Sequence, residues 1–569
     1  MTQTAPPDVR RSALEARFPE WTPRAMHQWL DHITEEFPDR EFVVTDERTF
    51  SYRDIQQWSR DLAAGLATRG IVKGDHVAVV MGNYPEYVAL KFAISRLGGV
   101  IVPVNTMYQR DELHFLLKDS AAKALITMTG FRTQNYLGML DDIAPGWDSG
   151  TAPAALPGLQ FIAQFEAMAP ARFGVPTVAE VAGWGRMTSL PEVDVEASDV
   201  SVIFYTSGTT GSPKGVMWSH DAEARVGYGG ALARAFGDNW RVQSALPLFH
   251  AFANNEAMHA SMFAGGAFIP RLSFDVEDFL SAIERHRPTE IVTVPTMVVA
   301  LCDSESAAST CTDSLIALMC AGAPAPVWLW ERAIALFGVH EVTTGFGMTE
   351  TGAGPVMARP ERGIEHVATT VGQPKLGGVA AAPGMNGVLA EVRTVDPQTG
   401  EPLPDGVEGE LISRGPTNAI GYWNRPEATT ETFRDGWVFT GDLGRVLPDG
   451  SIVLTGRKKE LIRCGGENFA PKEVEELLTR HPGVSQAFVV GIPDVKWGEI
   501  CCAWIVPDAH DAVTAEELID MCRGRLAAFK RPRHVLFISA QDLPTTPTGK
   551  VQKFVLTEMA VKDLGASVN

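Results

Sequence analysis

The residues best equipped for chemistry lie in the run TSGTTGSPKGV, 206–216, where three glycines and three threonines surround one lysine. Glycines let consecutive backbone N–H groups converge on an anion, hydroxyls add donors, and Lys214 adds a charge. Thr206, Ser207, Gly208, Thr209, Thr210, Gly211 and Lys214 are therefore expected to hold phosphate. The pattern is not G-x-x-x-x-G-K-[ST]. Counted from Gly208, Pro213 stands where the second glycine belongs, and Gly215 follows Lys214 in place of the metal-binding hydroxyl.

Four further segments carry reactive groups. GFGMTET, with Gly345, Phe346, Gly347, Met348, Thr349 and Glu350, combines glycines, an aromatic ring that can lie against a base, hydroxyls and one carboxylate. GWVFTGDLG is expected to place Asp442 in a tight turn, where an ionised carboxylate can accept both hydroxyls of a ribose. GRKKELIRCGGENFAP sets cations beside a glycine pair, and PTTPTGKVQK presents Lys550 near the end of the chain. Singly, each is more often an ordinary turn or solvated loop. Their joint order along one chain is what points to a site.

The elements that must position these groups follow from hydropathy patterning. DHVAVVMG, GGVIVPVN, KALITMTG and VSVIFYTSG read as buried strands, with helical patterns such as PEYVALKFAISRLG and RDELHFLLKDSA between them. Alternating β and α units predict an α/β fold with mostly parallel sheets. The lysine loop then follows a strand directly, at the carboxyl end where such sheets bind ligands. A longer loop is expected near PKLGGVAAAPGMNGV, before the β-rich VLAEVRTVD and EGELISRG. From Pro471 the pattern is that of a small α/β domain: a helix, strands at SQAFVVGI and CCAWIVPD, and a helix over TAEELIDMCRGRLAAF with an apolar stripe of Leu518, Cys522, Leu526 and Phe529.

In this order the motifs resemble the adenylate-forming superfamily of acyl-CoA synthetases, peptide-synthetase adenylation domains and firefly-type luciferases. The resemblance runs from about Ser51 to Lys553. It implies a large N-terminal domain of several α/β subdomains, 1–457, and a small mobile C-terminal lid, 458–569, hinged near Lys459. It implies that a carboxylate attacks the α-phosphorus of ATP to give acyl-AMP and pyrophosphate, after which a thiol displaces AMP. On that reading the 206–216 loop grips the leaving phosphates, and Glu350 is the Mg²⁺ ligand with Thr206 as its hydroxyl partner. Phe346 lies by the adenine beside Gly322, Ala323 and Pro324, while Asp442 and Arg457 hold the ribose. Lys550 bridges carboxylate and α-phosphate, Gly465 and Gly466 line the coenzyme A tunnel, and His250 stands at the tunnel mouth. Lys459 stands at a hinge position where acyl-CoA synthetases often carry Asp.

Composition narrows the partners. A net charge of −20 over 569 residues argues against a nucleic-acid binder, and no run reaches the eighteen or so apolar residues of a membrane span. The N-terminus lacks a secretory pattern and LGASVN is no peroxisomal signal, so a cytoplasmic enzyme is expected. Seven cysteines without a CxxC pair, including adjacent Cys501 and Cys502, read as small buried hydrophobes. Along 247–272, where the superfamily's acyl pocket begins, Glu256 is the sole acid, and TVPTMVVALC continues the apolar tone. An amino-acid substrate would need a carboxylate for its ammonium, so a medium or long fatty acid or a ring-bearing acid is favoured. The chain ends nineteen residues after Lys550 without a carrier domain, which makes free coenzyme A the natural thiol. Loading of a separate carrier protein, a luciferase-like oxidation and a homodimer stay compatible with the sequence. A non-catalytic sensor is disfavoured by the intact Lys214, Glu350, Asp442, Arg457 and Lys550.

Overall fold

The computed structural model describes residues 4–150, 152–206, 213–464, 467–494, 497–508, 513–523, 525–546 and 551–564. The chain packs as two compact units, Met1–Glu391 with Ser413–Val438, and Val392–Ile412 with Phe439–Asn569. By packing, the second unit thus also takes in residues before Arg457, and a domain division after Arg457 stands as a proposal. Strands Glu391–Val395, Gly409–Arg414, Trp437–Val446 and Ile452–Arg457 share one sheet, which draws residues before Arg457 into the second unit. Near Lys459 the backbone forms a short 3₁₀ turn, Lys458–Glu460, and a hinge there stands as a proposal.

The first unit contains two seven-stranded sheets. In one, Phe161–Phe165, Ala124–Met128, His76–Val80, Val100–Pro103 and Val200–Thr206 run parallel in that spatial order. His76–Val80 and Ala124–Met128 are buried at every position, because both faces are covered and a strand so placed is a nearly continuous apolar run rather than alternating. Lys214–Ser219 and Gly421–Tyr422 then extend the sheet antiparallel. In the other sheet, Glu341–Thr343, Ala317–Cys320, Glu290–Thr293, Arg241–Ser244 and Ala267–Pro270 are parallel neighbours. The expected parallel α/β architecture is present.

In the second unit the antiparallel pair Val484–Asp494 and Gly498–Pro507 carries apolar clusters on both faces. Side chains alternate across a strand, so Cys501 joins Ile462, Cys464, Leu518 and Cys522, whereas Cys502 joins Leu556 and Ala560. Burial pushes the Cys502 thiol up to about 12, as befits a small hydrophobe. The helix expected over 514–529 is shorter. It ends at Cys522, where Arg523 turns to extended backbone and the sequence next supplies Gly524, a poor helix former. Leu526 is nonetheless buried, and Phe529 meets Phe469 edge-on from a 3₁₀ turn. Among the described residues no helix is long and apolar enough to cross a membrane.

Buried histidines give the fold an acid limit. Burial lowers His27 to about 3, His220 to about 4 and His259 to about 3. Their folded values lie below the unfolded value of about 6.5, so the unfolded chain binds more protons in between. The stability they confer is present above pH 6.5 and is lost as the pH falls toward 4. At pH 5 each costs about 2 kcal/mol, from 1.36 kcal/mol per unit. The melting temperature is expected to drop steeply between pH 6.5 and 5, and His259→Gln to flatten part of that drop. Parallel pH profiles for both proteins would contradict the assignment.

Candidate active site

The 206–216 segment begins at the carboxyl end of a strand, as the alternating β and α pattern requires. Thr206 ends a parallel strand and Lys214 opens the antiparallel return, the two paired across the hairpin with Thr206 Oγ1 3.5 Å from the Lys214 carbonyl. Ser207, Gly208, Thr209, Thr210 and Gly211 lie outside the described residues, as do Gly465, Gly466, Lys550 and the Lys459 side chain.

Glu350 sits in a 3₁₀ turn, Thr349–Thr351, closed by Thr351 Oγ1 donating to the Met348 carbonyl at 3.1 Å. Close approach of the returning chain explains Gly347: a Cβ there would stand 2.0 Å from the Ala353 carbonyl oxygen. Neighbouring strands hold the turn. Trp218 Nε1 donates to the Thr349 carbonyl at 2.8 Å, the Ala419 N–H donates to the Glu350 carbonyl at 2.9 Å, and the Tyr422 hydroxyl donates to Glu350 Oε1 at 2.7 Å. The Lys214 ammonium lies 4.9 Å from the centre of the Tyr422 ring. Burial, with the Glu350 charge, raises the Tyr422 hydroxyl above its ordinary value and keeps it a donor. Lys214, Tyr422 and Glu350 thus form one cluster. Tyr422 and Trp218 were not singled out by the motif reading, because a tyrosine after Gly421 carries no local mark of a carboxylate partner 72 residues away.

The second parallel sheet delivers the remaining expected groups of this unit. Arg241–Ser244, Ala317–Cys320 and Glu341–Thr343 point the same way, so His250, the exposed Gly322–Ala323–Pro324 loop and Gly345–Phe346 all follow carboxyl ends of that sheet. His250 is exposed, its Nδ1 accepting the Phe252 N–H at 3.3 Å. It precedes a π-helix, Ala253–His259, of a kind that recurs at functional sites. Phe346 is half-buried.

Asp442 belongs to the second unit, in a different local structure from the expected tight turn. Thr440, Gly441 and Asp442 lie within the ten-residue strand Trp437–Val446, kinked where Gly441 takes φ +71°. Partners distant in sequence hold it there: Thr440 Oγ1 donates to the Leu411 carbonyl at 2.6 Å and the Gly441 N–H to Glu410 at 3.1 Å. Asp442 faces Arg457 across the ladder, with Arg457 Nε 2.8 Å from Oδ1. The two residues expected to hold a ribose are therefore brought together.

Among the described residues no three His, Cys, Asp or Glu side chains gather into a metal cage. A buried carboxylate in one cluster with Tyr422 and Lys214 suits Mg²⁺, which takes few protein ligands and completes its shell with phosphate oxygens and water. Glu350 fits that role by its donor type, and Thr206 can add a hydroxyl.

Residues 30–423 match the family model described as AMP-binding enzyme, and 473–550 match its C-terminal domain. The chain belongs to the AMP-binding enzyme family. It is similar to a mitochondrial medium-chain acyl-CoA ligase of Danio rerio, 31% identical over 95% of this chain and 88% of that protein. It is similar also to a feruloyl-CoA synthase of an Amycolatopsis species, 34% identical over 88% of this chain and 92% of that one. Among solved structures, ATP-bound MatB from Rhodopseudomonas palustris superposes with a TM-score of 0.80 at 29% identity, covering 95% of this chain and 99% of that one. The chain is thus an enzyme of the acyl-CoA synthetase and ligase kind, and that family uses ATP and coenzyme A.

Proposed function

We propose that this AMP-binding enzyme activates an apolar carboxylic acid, a medium or long fatty acid or a ring-bearing acid, and passes it to free coenzyme A. The observation that carries the choice of acid is the state of Glu256. The only acid of 247–272 is buried, with the Lys375 ammonium 2.5 Å from Oε1 and Arg234 3.5 Å from Oε2. A carboxylate already paired twice offers nothing to a substrate ammonium, and a buried ammonium without a partner is very costly.

In the first step a substrate carboxylate oxygen bonds to the α-phosphorus of ATP and the bond to the β-phosphate oxygen breaks. Lys214 and the loop it closes would hold the departing charge, which lowers the barrier where that charge develops. Glu350 and Thr206 would hold Mg²⁺, whose contribution when bound is to neutralise phosphate charge. Lys550 would bring carboxylate and α-phosphate together, and Lys459 would be the hinge of the lid. In the second step the thiol sulfur bonds to the acyl carbon and AMP leaves, with His250, Gly465 and Gly466 along the thiol's path. A pyrophosphate-release screen over many carboxylic acids, with and without coenzyme A, tests the reading. Release with apolar acids and a CoA thioester as product is expected. Release confined to amino acids, or no thioester with coenzyme A, would refute it.

Asp442 supplies a narrower expectation. If it accepts the ribose hydroxyls, Asp442→Asn should raise the KM for ATP roughly 10–100-fold, the worth of about 1.5–3 kcal/mol for hydrogen bonds to a charged group. The acid's KM should move much less. Equal changes in both would place Asp442 outside the nucleotide site.

A further inference from the structure

We infer that Tyr422 is a positioning residue that holds the phosphate-loop cation and the candidate metal carboxylate in one fixed arrangement; this rests on the proposed role of Glu350. Three observations carry it. The Tyr422 hydroxyl donates to Glu350 Oε1 at 2.7 Å, which fixes the rotation of a buried carboxylate. The same ring seats the Lys214 ammonium at 4.9 Å, against the electron-rich aromatic face. The segment that carries Tyr422 is stitched to both partners' surroundings: Val216 pairs with Tyr422, the Trp423 N–H donates to the Gly215 carbonyl at 2.8 Å, and the Ala419 N–H just before the strand donates to the Glu350 carbonyl at 2.9 Å.

One side chain thereby touches an anion through its edge and a cation through its face. Lys214 and Glu350 act on the same polyphosphate from opposite signs, and their long side chains would otherwise lose rotamer freedom when it binds. Tyr422 holds them beforehand. It donates to a carboxylate oxygen and is not itself a ligand, which is the arrangement by which outer-shell partners set metal affinity.

The test measures Mn²⁺ binding by electron paramagnetic resonance on the full chain, in the presence of a nonhydrolysable ATP analogue. Y422F keeps the ring and deletes only the hydroxyl. It should weaken Mn²⁺ retention roughly 10–100-fold while metal-free analogue binding stays near wild type. Y422L, which removes the ring as well, should also weaken the metal-free analogue, because Lys214 loses its seat. Thermal melts of each variant confirm that the fold is retained, and the double variant with Glu350→Gln tests the route of the effect. Support requires that E350Q alone weakens Mn²⁺ binding and that adding Y422F to it changes little. A weakened E350Q beside an unaffected Y422F overturns the positioning role and leaves Glu350 as the ligand. An unaffected E350Q overturns the metal reading itself, and additive losses overturn action through Glu350.

Discussion

Lys550→Ala is expected to cut acyl-adenylate formation by roughly three orders of magnitude or more, and to leave thioester formation from presynthesised acyl-AMP largely intact. The size follows from the charges. A carboxylate and an α-phosphate must approach within bonding distance, and two like charges at 4 Å repel by about 4 kcal/mol at an effective dielectric of 20. A cation between them removes that repulsion only while the bond to phosphorus forms. Lys550 itself lies outside the described residues, but the chain on either side of it is well anchored. Thr545 bridges Val551, and the Gln552 N–H donates to the Pro544 carbonyl at 2.8 Å. Lys553, the first residue of the helix that follows, is paired with Glu475 at 2.7 Å and with Glu460 at 3.3 Å. Glu460 closes the 3₁₀ turn at the proposed hinge, so the start of that helix and the turn are tied within one unit. Pyrophosphate release and thioester formation, followed separately, check the expectation. Equal loss in both half-reactions would remove Lys550 from the first.

What the sequence reveals divides by the range of the forces involved. The strand at His76–Val80 is legible because a strand covered on both faces reads as a nearly continuous apolar run, and no distant residue is needed to see it. The run before Lys214 stands out as a candidate for the same local reason: its glycines and hydroxyls are adjacent in sequence. Asp442 was visible as a candidate, but its setting was not. A Thr-Gly-Asp triplet favours a turn locally, and partners distant in sequence, Glu410 and Leu411 some thirty residues earlier and Arg457 across the ladder, hold it in a strand. The helix after Thr514 was overdrawn because its apolar stripe continues through Leu526 in chain that is no longer helical. Buried charges were the least legible. Lys91 lies in the run YVALKFAI, yet it meets Glu223, 132 residues away, at 2.6 Å. Burial alone would raise the Glu223 carboxyl, but Lys91, His259 and Ser201 outweigh it and hold the group near 2. Nothing near Lys91 announces that partner.

The largest stability change in the first unit is expected from Lys375→Met. Lys375 is fully buried and reaches Glu256 on the π-helix at 2.5 Å, while a second donor bond goes to the Val226 carbonyl at 3.1 Å. Glu256 meets Arg234, and Arg234 meets Glu290 at 3.0 Å, so two cations and two anions alternate in one buried chain. Gly230 makes room for it, since a Cβ there would stand 2.5 Å from Glu256 Oε2. Deleting one cation leaves an uncompensated buried anion, which costs about 3–5 kcal/mol. Deleting the pair restores the balance, because Arg234 and Glu290 still neutralise each other. The double variant Lys375→Met with Glu256→Met is therefore expected to recover most of that loss, as apolar replacement of a buried pair is often neutral. Denaturant melts of the single and double variants measure the coupling directly. If the double variant is as unstable as the sum of the two singles, the charges are not coupled. The state of Glu256 would then lose its force as an argument against an ammonium-bearing substrate. If coupling is found, the double variant is the more informative enzyme: it has no acid left in 247–272, so retained activity toward apolar acids would show that Glu256 serves the fold and not the substrate.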